Sequence, residues 1–445
     1  MRHTGKARRR IAGAGVVALA GLALAGCSSG GSASAGGGTT TLTILEHSNP
    51  STQAAMAVLD KEFEAQNPGI KIQLTAVPTN NFAQVQTARI AAGAVDLTEG
   101  ASAGSGTQPN PSYVTGAQPT FVSEAQAGDW VNLTSEPFMK NFSPSALAAV
   151  TTDGKVYVVP SGADLYTGVF YNKTTFAKYG LSVPKTWSAF QSVVQTLKSH
   201  GVTPLVIGGK DVWPAGLPML GIVQSLYSDS AMSQLDHALW TNKVSLASPT
   251  SVEVLSRIQQ LYADAGTTFP GVSEVAATAD FTNGQAAMWP DGTWNAPTIA
   301  QTAPSLQFGY FPLPASDNAA DNAVLGGKLD FSFAIPSSAP NKSAALKWLS
   351  FYAQPANYAT FIKLSGFIPV EPHVSATPFI DSLASYMGTG GFTPAWDQIF
   401  HPNSKSGTLS TYPWAYPNIA PMGNSTNMAQ LAGQMEANWM ASTSG

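Results

Sequence analysis

Residues 42–76 read LTILEHSNPSTQAAMAVLDKEFEAQNPGIKIQLTA, and the changes of period within them decide the fold. Leu42 and Ile44 belong to a short β-prone run. Asn49, Pro50 and Ser51 supply helix-start chemistry, and Met56, Leu59 and Phe63 then fall at i, i+3 and i+7, one face of a helix. Asn67, Pro68 and Gly69 stop that helix. Ile70, Ile72, Leu74 and Ala76 alternate with Lys71, Gln73 and Thr75, which predicts a strand with one wetter face. A strand, a helix and a strand within about 35 residues make a right-handed parallel crossover, the unit of an open α/β sheet. The crevice of such a sheet lies beyond the carboxyl ends of its strands, which places Glu46, His47, Ser48 and the turn from Glu99 to Ser102 near any site.

The theme recurs downstream. Thr186 is placed to cap a helix whose inward face is Phe190, Val193, Val194 and Leu197, with Gly201 at its end, and Leu205 to Ile207 follow as a short buried strand. A later helix opens at Ser248 and Pro249, carries Val252, Leu255, Leu261 and Tyr262, and stops near Gly266. No repeat of 20 to 50 residues is visible, which argues against a solenoid. From about residue 385 the pattern gives way to Gly, Pro and Ser, with Trp396, Tyr412, Trp414 and Tyr416 among them, until a helical period returns over Met428 to Trp439. The aromatic content favours packing on the body over disorder.

The first 26 residues carry an address. Arg2, Lys6 and Arg8 to Arg10 form a basic head, and Ile11 to Gly26 is apolar and too short to span a bilayer permanently. The ending Leu24-Ala25-Gly26-Cys27 resembles the lipobox of bacterial lipoproteins, which implies that Cys27 becomes the first mature residue and carries diacylglycerol, and two or more acyl chains suffice for stable attachment to a membrane. Residues 27–41, rich in Gly, Ser and Thr, read as a flexible tether on that anchor. Cys27 is the only cysteine of 445 residues, so no internal disulfide is possible and stability rests on a large core. About 400 remaining residues exceed the usual single domain and predict two lobes. Without its leader the chain has 17 Lys and Arg against 26 Asp and Glu, a balance that argues against nucleic acid and against polybasic membrane contact.

Several segments, in order, resemble the extracellular solute-binding proteins of ATP-driven sugar importers, the family that includes maltose-binding protein. They are Phe63 to Ile72, Asp153 to Pro160 with Val169 to Lys173, and Tyr179-Gly180-Leu181 with Pro184 to Trp187. Phe281 to Met288 with Gly292-Thr293-Trp294 is the most characteristic stretch, and Phe311 to Pro314 and Gly366 to Pro369 complete the series. The resemblance implies an α/β, two-lobed periplasmic-binding-protein-like fold with discontinuous lobes joined by hinge strands. Lobe one is expected over 42–162 and 312–366 and lobe two over 163–311 and 367–445, with passages near Ser161 to Asp164, Phe311 to Pro314 and Phe367. It further implies a monomer that closes on a carbohydrate and delivers it to a membrane permease from the extracellular face.

Sugars present apolar C–H faces and a rim of hydroxyls, so their sites need aromatic platforms and planar polar groups. Trp294 matches the family's stacking position, and Trp213 matches a cleft segment; the alternative for each is a core tryptophan. Asp164 stands where the family places a carboxylate at the hinge, with Tyr166 close by. Asp291 holds a hydroxyl or makes an Asx-type turn. Glu46 and His47 follow the first strand, Lys328 and Asp330 follow Gly326 and Gly327, and Phe367 sits at the last hinge beside Gly366. Trp396 and Trp414 are weighed as a cleft wall or as a plug of lobe two.

An enzyme must show its catalytic groups. His3, His47, His200, His237, His373 and His401 have no metal-ligand spacing, and neither a Gly-x-Ser-x-Gly elbow nor a phosphate-cradling Gly-x4-Gly-Lys loop occurs. The reading is therefore of a binder with no metal and no cofactor. A glycosidase, which needs only two carboxylates, and a surface scaffold stand as the alternatives. A neutral mono- or oligosaccharide fits the aromatic supply and the scarcity of Lys and Arg in the candidate segments, with polyol, peptide or polyamine as other solutes.

Overall fold

The computed structural model describes residues 38–101, 106–227, 229–388 and 392–443; the leader, the Cys27 motif, most of the tether and Ser102 lie outside them. The opening stretch folds as strand Thr40–His47 (β1), helix Pro50–Gln66 (α1) and strand Ile70–Val77 (β2). The strand begins two residues before Leu42, taking Thr40 and Thr41 from the expected tether, because Thr40 N donates to Gly69 O at 2.8 Å and the register runs from Thr40 opposite Ile70 to His47 opposite Val77. The Asn49 side chain accepts from the amides of Ser51 and Thr52, Pro50 needs no donor in the first turn, and Met56, Leu59 and Phe63 are buried.

Onward the chain forms β3 (Leu97–Glu99), β4 (Val158–Val159), β5 (Gly162–Leu165), β6 (Gly168–Asn172), α2 (Trp187–Ser199), β7 (Thr203–Leu205) and α3 (Trp213–Leu226). Then come α4 (Pro249–Ala265), α5 (Glu274–Thr282), β8 (Ala286–Trp289), α6 (Ala296–Thr302), β9 (Phe308–Pro312), β10 (Gly326–Asp330), β11 (Phe333–Ala334), α7 (Lys342–Tyr352), α8 (Pro355–Ser365), β12 (Thr393–Pro394) and α9 (Met428–Thr443). Thr186 and Ser248 cap α2 and α4 through their hydroxyl oxygens, and the predicted face of α2 is buried. The buried run Leu205 to Ile207 is strand only at its start, in β7.

Three sheets organise two lobes. The first has the order β2-β1-β3-β11-β4, the second β9-β6-β8-β7, and the third β12-β10-β5. Alternation divides the second sheet between two cores: Phe170, Trp289 and Tyr310 join the core of the first sheet, while Val169, Met288 and Phe311 join the core built on α2, α3 and α4. The third sheet consists of the segments in which the chain passes from one lobe to the other.

The first passage runs through β5. The second lies at β10, downstream of Phe311 to Pro314, because Leu313 and Ala315 stay buried in the second core and Ser225 Oγ donates to Leu313 O at 3.1 Å. The third lies at β12, not at Phe367. Phe367 is fully buried against Phe331 and Phe361, and Ile380 and Leu383 continue in the first core. The expected boundaries at 311/312 and 366/367 therefore move downstream. Past β12 the C-terminal segment packs on the second core through Trp396, Trp414 and Trp439, all buried, with Trp414 Nε1 donating to Ser251 Oγ at 2.9 Å.

Asp60 on α1 accepts from Trp348 Nε1 of α7 at 3.0 Å. Burial pushes its carboxyl up to about 7; the Trp348 hydrogen bond opposes this and Glu64 adds to it. The unfolded chain ionises Asp60 near pH 4, so this group subtracts from stability progressively between about pH 4 and 7 and by a constant amount above. Asp60→Asn keeps the acceptor for Trp348 and removes the charge. Thermal unfolding followed by far-UV circular dichroism is expected to show a larger rise in Tm at pH 8 than at pH 5; equal shifts would mean that no ionisation is suppressed there.

Candidate ligand-binding cleft

The carboxyl ends of β1 and β2 open onto a cleft of about 1210 Å³. His47, Ser48 and Asn49 line it at the end of β1, Pro50 and Gln53 at the start of α1, and Pro78 to Asn80 after β2. Facing them are Asp211, Trp213, Glu274 and Trp294 of the second lobe, Lys328 and Asp330 of β10, and Asp397, Gln398, Tyr412 and Tyr416 of the C-terminal segment.

Aromatic rings form one wall. Trp294 lies 6.1 Å from Trp213 at an interplanar angle of 55° and 6.0 Å from Tyr166 at 36° (centroid distances). Its ring folds over Gly292, where a Cβ would overlap it. Asp291 holds that turn: its Oδ1 accepts from Gly292 N at 2.7 Å and from Asn295 Nδ2 at 3.1 Å. Trp213 is aimed by a tighter device. Val212 has φ 67° and ψ −56°, and Trp213 N donates to Asp211 O at 2.8 Å, which is a γ-turn in a conformation that costs a β-branched residue energy. The same Asp211 O accepts from Asn80 Nδ2 across the cleft at 3.2 Å, and Asp211 Oδ2 accepts from Glu274 N at 2.7 Å.

Charged groups form the floor. Lys328 Nζ lies 3.2 Å from Asp330 Oδ2 and 5.9 Å from the Tyr166 ring centroid. Burial lowers the Lys328 pKa, but Asp330, Asp397 and Asp164 outweigh it and hold the ammonium protonated. Burial likewise raises Asp330, yet Lys328, His47 and the Phe331 amide bring it below the usual carboxylate range. Tyr166 Oη donates to Asp397 Oδ1 at 2.8 Å. His47 Nδ1 is 2.8 Å from Glu99 Oε2, and the His47 amide bonds Glu99 as well. Burial lowers the imidazole pKa, while Glu99 and Asp330 more than compensate. Glu274 at the rim is pushed up to about 7 by burial and by Asp211. Carboxylates thus outnumber cations around the cleft, and it is rich in acceptors. Among the described residues no group of three or more His, Cys, Asp or Glu is placed to hold a metal ion.

Six of the residues singled out in the sequence line this cavity: Trp294, Trp213, Tyr166, His47, Lys328 and Asp330. Four do not. Asp164 is fully buried beneath the floor, opposite Lys328 in the β5–β10 pair, with Thr293 Oγ1 3.4 Å from its Oδ1; burial and then Asp330 raise its pKa well above normal. Asp291 is also buried; its Oδ1 accepts from the adjacent Gly292 amide and from Asn295, not from an amide two residues on, so it makes neither a ligand contact nor an Asx turn, and its pKa is raised by burial and by Glu274. Glu46 alternates onto the face of Leu42 and Ile44, in the first core, with no hydrogen-bond partner among the described residues on either carboxylate oxygen, and burial, then Glu99, raises its pKa well above normal. Phe367 is core. Trp396 and Trp414 are likewise core, and the aromatic wall that the C-terminal segment contributes is Tyr412 and Tyr416. Tyr412, Tyr416, Asp397, Asn80 and Glu274 were not singled out. The one available signal was the amphipathic character of the two tyrosines among buried tryptophans.

Residues 48–359 match the family model described as bacterial extracellular solute-binding protein. A multiple sugar-binding protein of Streptococcus mutans is 25% identical over 341 residues, 76% of each chain. An uncharacterised ABC transporter extracellular-binding protein of Pyrococcus horikoshii is 26% identical over 334 residues, 73% of this chain and 70% of its own. Among solved structures, RafE in complex with raffinose has a TM-score of 0.74 at 20% identity, over 91% of this chain and 100% of RafE, a likeness of fold.

The contact of Trp294 with Gly292 predicts that Gly292→Ala displaces the indole without unfolding the lobe. Near-UV circular dichroism is expected to lose tryptophan signal while the far-UV spectrum is kept; an unchanged near-UV spectrum would show that the ring does not rest on Gly292.

Proposed function

The chain belongs to the bacterial extracellular solute-binding proteins, and on that footing we propose that it captures a neutral carbohydrate between its lobes and delivers it to the permease of an ATP-driven importer. The observation that carries the sugar reading is the wall of Trp294, Trp213 and Tyr166 above a floor of Asp330, Asp397 and Lys328. Flat rings accept the apolar C–H face of a pyranose, and carboxylates accept its hydroxyl protons two at a time. The excess of carboxylates disfavours anionic ligands. Relatives named for sugar binding and for an ABC transporter support the same reading, as does the raffinose complex of a structural neighbour.

The lobes close by bending at β5, β10 and β12, where the main chain passes between rigid sheets. The protein works as a monomer outside the cell, held to the membrane by lipid on Cys27, with residues 28–39 as its tether. Among the described residues no helix is long and apolar enough to cross a membrane. Binding without turnover is the role; no cofactor enters it.

Isothermal titration against mono-, di- and oligosaccharides, polyols, peptides and polyamines tests this. A saccharide is expected to bind, and Trp294→Ala to weaken it about tenfold or more with the unliganded Tm little changed. Binding confined to a polyamine or peptide, or an unaltered affinity in Trp294→Ala, would overturn the sugar site.

A further inference from the structure

The cleft does not end at its aromatic wall. It continues along α5 and α6, where Thr278, Thr282, Thr298 and Thr302 line the same cavity with Gln53 of α1 opposite. Thr278 and Thr282 follow Glu274 at four-residue steps, and Thr298 and Thr302 follow Trp294 in the same way. Thr278 and Thr282 thus lie on one face of α5 and Thr298 and Thr302 on one face of α6, which follows the 3-10 turn that carries Trp294, with about 6 Å of rise between the two threonines of each row. Ala279 on α5 leaves the space between the rows open.

The hydroxyls in this extension have a fixed polarity. Thr278 Oγ1 donates to Glu274 O at 2.9 Å, Thr282 Oγ1 to Thr278 O at 2.8 Å and Thr302 Oγ1 to Thr298 O at 2.7 Å. Ser51 Oγ donates its single proton to Trp294 O at 3.1 Å, so in the 3.2 Å contact of Ser51 with Thr298 it is Thr298 that donates. All four threonines therefore offer lone pairs alone to a ligand. The rows carry no ring and no cation, so they suit neither stacking nor an anion.

We propose that this threonine-lined extension is a second arm of the site, taking the distal rings of a linear, uncharged oligosaccharide whose proximal ring stacks on Trp294. The inference rests on the carbohydrate reading above and adds its length requirement. Hydroxyl protons of the distal rings meet acceptors in series, and a cavity of about 1210 Å³ exceeds the usual range for one small ligand. A mono- or disaccharide fills only the aromatic end, where Trp294 and Trp213 present two ring faces.

The test is titration of the protein with malto-, xylo- and chito-oligosaccharides of one to six rings, and with raffinose and stachyose. Affinity is expected to rise about tenfold or more between two rings and four, and Thr278→Val combined with Thr282→Val and Thr302→Val to remove that gain while leaving disaccharide affinity and Tm unchanged. Ala279→Phe, at an exposed helix position, is expected to block the arm and give the same loss by volume alone. Affinity independent of length, or a valine variant that weakens the disaccharide as much as the tetrasaccharide, would overturn the arm and leave the carbohydrate function standing. No binding by any saccharide would remove both.

Discussion

The structure depends on the antiparallel pairing of Gly162–Leu165 with Gly326–Asp330. Two sheets with separate cores have to be joined by a chain that passes between them three times, and main-chain hydrogen bonds in this small third sheet hold the passages together. The approach is close: a side chain at Gly327 would run into the carbonyl of Asp164. Because alternate residues face opposite ways, Ala163, Leu165 and Leu329 enter the first core while Lys328 and Asp330 face the cleft. The element that joins the lobes is thereby the element that carries the floor of the site.

That coupling explains the electrostatics. Lys328 is surrounded by Asp330, Asp397 and Asp164, and only the first is held strongly ionised. Asp164, directly across the pair, is too deeply buried to ionise readily beside Asp330. The cation is kept in place without turning the cleft positive, and the remaining acceptor capacity points at the cavity. The threonine rows extend the same polarity outward through a different means, the donation of each hydroxyl proton to its own helix. Strain sits at the rim, where the γ-turn at Val212 aims Trp213 at Trp294 and Asp211 O at Asn80.

Much of this was legible in the chain. The crossover over residues 42–76 and the capped helices at Thr186 and Ser248 follow from period and capping chemistry, which act over a few residues, and the choice of Trp294 follows from the family resemblance. The return passages were placed too early, since whether Leu313 and Phe367 leave a core depends on partners far along the chain. Asp164 and Glu46 are expected at the ligand from sequence, and Asp291 either there or in an Asx-type turn, because a carboxylate beside a predicted cleft is ordinarily exposed; all three are buried. In the C-terminal segment the large indoles went inward and Tyr412 and Tyr416 took the wall, a division that composition does not contain.

The amino-acid sequence by itself determined the α/β crossover and the absence of internal disulfides, because these rest on short-range stereochemistry and residue type, and its ordered motifs identified the family. Only the tertiary structure decided which strand carries each passage, which carboxylates reach the cleft, and that threonines from α5 and α6 share one cavity with Trp294. Those outcomes are set by packing between segments that are not neighbours in the chain, and no local pattern encodes which face of a strand or helix a distant core will cover.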